Sequence, residues 1–217
     1  MSAKPPRTER LVWIGLGLTI ALLLLASLLA LLKVRAGFGK SLPLYGQVAD
    51  FALTNQNGQR VSLADLRGHV WVADIIFTRC AGPCLKMSRQ MMELQQALPK
   101  SSAAKLISLT TDPEFDTPSV LKGYAERFEA NPNRWTFLTG TKKQIAALAI
   151  ESLKLTAIEK KPEEQQSPVD LFIHSTIFVL VDKHGQLRGV YETTGEGTDS
   201  RQVKAQLLAG IRRLEHE

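Results

Sequence analysis

Cysteine is nearly missing from this chain: 217 residues contain two, Cys80 and Cys84, in one short stretch. A scaffold stapled by several disulfides is therefore excluded, and the fold has to rest on a hydrophobic core, for which 44% hydrophobic residues suffice. Beyond the N-terminal region, charge of one sign is also lacking. The first 40 residues hold six Lys or Arg against Glu9 alone, whereas the following 177 hold 21 basic and 20 acidic groups. The net charge of +6 thus belongs to the N-terminal flanks, and no basic stripe with interleaved aromatics indicates a nucleic-acid partner. No internal repeat or low-complexity tract is present, which excludes solenoids and disordered linkers.

Only one long apolar run exists, residues 11–32, with 22 residues and no charge. At about 1.5 Å per residue it matches the roughly 30 Å hydrocarbon layer, so the sequence predicts a transmembrane anchor. A cleaved secretory signal is the competing reading, but its apolar region is shorter, about 7 to 15 residues, and no clean small-residue cleavage site follows. Three Lys or Arg on each side leave the positive-inside count tied. The short leader, 1–10, places the N-terminus in the cytoplasm and the large domain on the exported side of the cytoplasmic membrane. The expected organisation is leader 1–10, anchor 11–32, linker 33–48 and a domain over 49–217.

Within the domain, helix and strand signals alternate. Asn57-Gly58 marks a hairpin, and Ser62 caps a short helix that Gly68 ends. The β-branched run 70–77, VWVADIIF, reads as a buried strand, and helical spacing resumes at Cys84. A second buried strand is expected at 106–110, then a helix opened by Thr117 and Pro118, a short strand at 135–138 and a helix capped by Thr141. Residues 159–168 read as an exposed loop. Strands at 176–181 and 187–192, joined by a turn at 182–185, precede a terminal helix over 202–214. A mixed sheet flanked by helices, with a cysteine pair after its first core strand, has the order of a thioredoxin-like domain, α/β in class.

Cys80 and Cys84 lie in one loop, around Ala81-Gly82-Pro83, where a helix begins. They do not tie distant segments together, and a helix N-terminus favours thiolate, so a working pair is expected rather than a structural bridge. Their spacing is one residue wider than C-x-x-C, which leaves room for a metal ion between the sulfurs. His174 precedes the penultimate strand, where a thioredoxin-like fold usually carries a proline facing the cysteine loop. Two thiolates and an imidazole make a soft set suited to Cu(I), with an imidazole that tolerates Cu(II). Met87, Met91 and Leu94 recur at helical spacing and read as core, and His69, His184 and His216 as surface residues. Asp74, inside the buried strand, reads as a satisfied core carboxylate or a group acting on the cysteine loop. Asp112 and Asp116 read as turn and cap residues without chemistry.

The segments FTRCAGPC (77–84), LTTDPEFDTP (109–118), RWTFLTG (134–140) and His174-Ser175 resemble the Sco family, also called SenC or PrrC, over residues 45 to 215. The resemblance implies a membrane-anchored, thioredoxin-like copper-binding protein that assists assembly of the dinuclear copper centre of cytochrome c oxidase. It implies copper ligands at Cys80, Cys84 and His174, and as partner a copper-accepting oxidase subunit or its apoprotein. The chain departs from the family pattern at Ala81 and Leu85, where prolines are common, and at Ile173, where an aspartate is common. A conventional enzyme is not implied. The alternative is a membrane-anchored thiol-disulfide oxidoreductase in which Cys80 and Cys84 cycle, acting on cysteines of a copper-site apoprotein. A peroxiredoxin-type peroxidase lacks its proline and threonine pattern in 74–80.

Overall fold

The computed structural model describes residues 7–38, 41–165, 172–195 and 197–217; within these, the side chains of 7–12, 14, 32–38, 157, 162, 173 and 174 lie outside the description. The chain forms two compact units, residues 1–41 and Leu42–Glu217.

The first unit contains helix α1, Arg7–Phe38, continuous through the apolar run and beyond it. Its described apolar side chains, among them Trp13, Leu18, Leu23 and Leu31, are exposed. Among the described residues no helix is long and apolar enough to cross a membrane; the run 11–32 is only partly described, because Leu11, Val12, Ile14 and Leu32 fall outside.

The second unit is a mixed sheet with helices on both faces. In chain order its elements are β1 (Gly46–Gln47), β2 (Ala52–Asn55), β3 (Arg60–Ser62), α2 (Leu63–Leu66), β4 (Trp71–Ile76), α3 (Pro83–Ala97) and β5 (Lys105–Thr110). They are followed by α4 (Pro118–Arg127), β6 (Trp135–Thr139), α5 (Lys142–Ala146), β7 (Ala157–Glu159), β8 (Phe172–His174), β9 (Ile177–Val181), β10 (Gln186–Glu192) and α6 (Ser200–His216). The sheet order is β1-β10-β9-β4-β5-β6-β2-β3, with β7 and β8 paired apart from it.

β4, β5 and β6 run parallel at the centre, and β9 pairs antiparallel with β4. Every residue of β4 is buried, which explains why its sequence shows no polar alternation. Its alternate side chains serve two cores. Trp71, Ala73 and Ile75 join the core under α5, while Val72 and Ile76 join the core that contains Cys80, Cys84, Met87, Met91, Leu94 and Tyr124. Strand periodicity places Asp74 with Val72 and Ile76, on the cysteine side. The methionine stripe of α3 is core, as its spacing predicts, with Met87 and Met91 fully buried.

Thr117 and Thr141 cap α4 and α5, and Asp199 caps α6, each by accepting a backbone N–H. α5 continues over Ala147–Ser152 in wider π-helical turns. The stretch expected as an exposed loop at 159–168 begins as strand β7 and a 3-10 turn at Pro162–Glu164, with 166–168 outside the described residues.

Candidate metal and thiol centre

The carboxyl ends of parallel β4 and β5 lie side by side, Ile76 opposite Thr110, so the segments that follow them are neighbours. This is where open α/β sheets place their sites. The segment after β4 carries Thr78, Arg79, Cys80 and the exposed tip Ala81-Gly82-Pro83; α3 then begins, with Cys84 in its first turn. Both cysteines are thiols, Cys84 fully buried and Cys80 8% exposed.

The two sulfurs interact directly. A hydrogen bond with Cys80 is the largest influence on Cys84 and raises its pKa strongly above the usual thiol value; burial and the negative charge of Asp74 act in the same direction. The dipole of the helix N-terminus acts the other way, favouring thiolate, as expected from the sequence. It is overridden because sharing a proton with a second thiol, out of water, disfavours charge more than the dipole of a first turn favours it. Asp74 is fully buried and close enough to act on both Cys84 and Tyr124. Tyr124, whose hydroxyl meets Ser88 Oγ at 2.9 Å in the same core, is likewise shifted upward, chiefly by burial.

The segment after β5 holds the cysteine loop. Asp116, fully buried, accepts the Thr78 N–H at 3.1 Å and the hydroxyls of both Thr78 and Thr110. Burial raises its pKa against the opposing effect of these hydrogen bonds. Asp112 takes Arg79 Nη2 at 2.5 Å and Nε at 3.2 Å, and the guanidinium lies 4.2 Å from the centroid of the half-exposed Phe115 ring. Asp112 does open a turn, its carbonyl accepting the N–H groups of Phe115 and Asp116, but the cap of α4 is Thr117, and the two carboxylates, expected to carry no role, bind the cysteine loop to the next strand's exit. The reading from sequence missed this because the partners lie 33 and 38 residues apart. The available signal was that parallel neighbouring strands bring together whatever follows each of them.

His174 is the last residue of β8, with its backbone paired to Ala157 on β7; its side chain lies outside the described residues. Phe172, two residues earlier, packs edge-on against Phe77 with centroids 5.2 Å apart, so β8 lies against the start of the cysteine loop. Among the described residues no group of three or more His, Cys, Asp or Glu side chains is assembled for a metal. Of the other histidines, His184 and His216 are exposed as expected, while His69 is half-buried with Nδ1 3.0 Å from the Ala103 carbonyl oxygen.

A thioredoxin-like sheet with a C-x-x-x-C thiol pair at the carboxyl end of its central strand, and the strand that ends in His174 laid beside the loop, has the groups for thiol-redox or soft-metal chemistry. The chain belongs to the SCO1/SenC family, whose model matches residues 44–209. It is 40% identical over 147 residues to a SCO1 protein homolog of Bacillus subtilis, covering 67% of this chain and 73% of that protein. Among solved structures it resembles BsSco, described with a disulfide switch and as a member of the Sco family of cytochrome c oxidase assembly proteins, at 32% identity and a TM-score of 0.64, over 79% of this chain and 98% of that one. Bradyrhizobium japonicum ScoI, solved with copper bound, shares the fold at 24% identity with a TM-score of 0.60, over 75% and 98% of the two chains.

Proposed function

We propose that this chain is a membrane-tethered copper metallochaperone that binds one copper ion through Cys80, Cys84 and His174 and delivers it to a copper-accepting subunit of cytochrome c oxidase. The observation that carries the reading is the direct thiol–thiol contact of Cys80 and Cys84 beneath an exposed loop tip, with β8 packed on Phe77 beside them. Two sulfurs and an imidazole are a donor set for Cu(I) that also accepts Cu(II), and copper is the cargo: incoming ligands of the recipient replace these three one at a time. Displacing the proton shared by the two thiols couples loading to proton release, so copper affinity rises with pH.

The anchor is residues 11–32 of α1, with leader 1–10 in the cytoplasm and the domain of 49–217 outside, joined by a linker over 33–48 whose last residues already pair in the sheet as β1. Exposed apolar side chains around α1 and charges confined to its two flanks support the span.

Copper titration of the reduced protein tests the reading. One equivalent is expected to bind, with affinity lost in Cys80→Ser and reduced in His174→Ala; unchanged affinity in either variant sinks it. Reporter fusions placed after residues 8 and 48 test the orientation, and activity of an exported-side reporter at 8 but not at 48 reverses it.

The thiol contact also supports a second reading, thiol-disulfide exchange. Cys80, the more accessible sulfur, attacks a substrate disulfide as thiolate, and Cys84 then expels the substrate sulfur. The substrate disulfide is reduced to two thiols while the pair is oxidised to a disulfide, the two thiol protons leaving with the product. Undiminished disulfide reduction by His174→Ala, together with loss of copper binding, separates the two roles.

A further inference from the structure

The segment 77–82 has little regular structure of its own to hold it. Within it, Cys80 N–H reaches the Phe77 carbonyl at 3.2 Å, Leu85 N–H reaches the Gly82 carbonyl at 3.2 Å, and Gly82 gives α3 no side-chain cap. The Phe77 backbone also bonds the Cys84 thiol, and further polar attachments run to the segment 111–117, through Thr78 to Asp116 and through Arg79 to Asp112.

These two attachments are unequal. Arg79 is about one-third exposed, and ion pairs in contact with water contribute little. Asp116 is fully buried, receives three donors, and is itself fixed by donating its N–H to the Asp112 carbonyl at 2.8 Å, immediately before the capped start of α4. Hydrogen bonds to a carboxylate are roughly twice as strong as neutral ones.

We propose that Asp116 is the positioning residue of the thiol centre: through Thr78 and Thr110 its carboxylate sets the conformation of 77–82 in which the Cys80 and Cys84 sulfurs meet. This rests on the reading of the pair as the working site, but not on copper being its cargo. Asp116 fixes the backbone two residues before Cys80 and ties it to the end of β5, so the distance between Cys80 and the helix-borne Cys84 is set from the neighbouring strand.

A disulfide closes the same loop covalently and supplies this order by itself, whereas the dithiol depends on the clamp. Loss of the carboxylate therefore disfavours the dithiol relative to the disulfide. In glutathione buffers, Asp116→Ala is expected to lower the dithiol-to-disulfide ratio at least tenfold, a potential about 30 mV more negative. Asp116→Asn keeps one accepting oxygen without the charge and is expected to shift the ratio about threefold. Hydrogen exchange at the Thr78 amide, which the carboxylate protects, is expected to accelerate in the same order.

A merely structural residue would lower the unfolding midpoint and leave the ratio within twofold of wild type, and that result in folded Asp116→Ala overturns the proposal. Should Asp116→Ala not fold, Asp116→Asn and Thr110→Val carry the test, and wild-type ratios in both overturn it. A wild-type pair that glutathione does not oxidise overturns it as well. Copper binding is scored separately: a ratio that shifts in a protein that binds no copper retains Asp116 as the positioning residue and refutes the chaperone reading, and the converse refutes only the inference.

Discussion

Arg188 makes the ion-pair centre at which the structure most directly invites a stability measurement. On β10, it is 9% exposed; its Nη1 meets Asp182 Oδ2 at 2.8 Å and its Nη2 meets Glu217 Oε2 at 3.2 Å. The same guanidinium donates to the Leu42 carbonyl at 2.9 Å from Nη2 and to the Pro43 carbonyl at 3.3 Å from Nε. It therefore fastens the first residues of the domain, those nearest the proposed anchor, to the β9–β10 turn. Replacing it with methionine fills much of the volume but leaves the 4% exposed Asp182 without its cation and two carbonyls without donors. Asp182 Oδ1 keeps the N–H groups of His184 and Gln186, both at 2.9 Å, which limits the damage. Breaking one side of a buried pair costs about 3 to 5 kcal/mol. With these retained bonds the lower end applies, roughly 3 kcal/mol out of a typical 5 to 15. At a urea m-value of about 2 kcal/mol/M the midpoint should fall by roughly 1.5 M. Asp182→Asn in the Arg188→Met background should recover part of the loss, giving a coupling energy of about 1 to 2 kcal/mol in the double-mutant cycle. Urea unfolding followed by tryptophan fluorescence reads all four proteins. An Arg188→Met loss below about 1 kcal/mol, or a coupling energy indistinguishable from zero, would refute the reasoning.

Three other perturbations have defined outcomes. Because burial raises the Asp116 pKa above its ordinary 3.8, the folded state holds that proton more tightly than the unfolded chain. Its contribution to stability is thus fullest below that value and declines as pH rises through the folded pKa; the stability difference between wild type and Asp116→Asn should change in this window and be flat above it. Gly210 on α6 has no room for a methyl group, since a Cβ would stand 2.7 Å from Leu180 Cδ2 and 3.0 Å from the Tyr191 hydroxyl. Gly210→Ala should therefore destabilise by about 1 to 2 kcal/mol despite alanine's better helix propensity, and a stabilised variant in thermal unfolding would contradict the packing described. Iodoacetamide at neutral pH should modify Cys80 before the fully buried Cys84, and mass mapping that finds Cys84 modified first would reverse the assignment of the attacking sulfur.

The parts of the fold that could be read from the sequence are those whose neighbours in sequence decide them. β4 is buried on both faces, so its apolar run is unbroken; the caps at Thr117 and Thr141 act within three residues; and the turn at 182–185 joins strands adjacent in the chain. The two-residue strand β1 had no such signal, because pairing Gly46 with Leu187 and Gln47 with Gln186 is its whole basis. β7 and β8 were hidden for a related reason: a three-residue strand carries too little periodicity, and each is paired with the other. Of the candidate ligands, Cys80, Cys84 and His174 stood out by residue type. Asp116 did not, because aspartate before a helix is ordinary, and only the parallel register of β4 and β5 brings it under Thr78.

That register also brings the exit of β5 against the loop that carries Cys80. Asp74 on β4 acts electrostatically on Cys84 and Asp116 beyond β5 binds Thr78, while the tip Ala81-Gly82-Pro83 is exposed. A negative charge near Cys84 and a shared proton oppose thiolate there. A soft cation reverses both effects at once, since it replaces the proton and is attracted by the carboxylate. The copper role proposed above would draw on this preference for a bound soft cation over a bare thiolate pair.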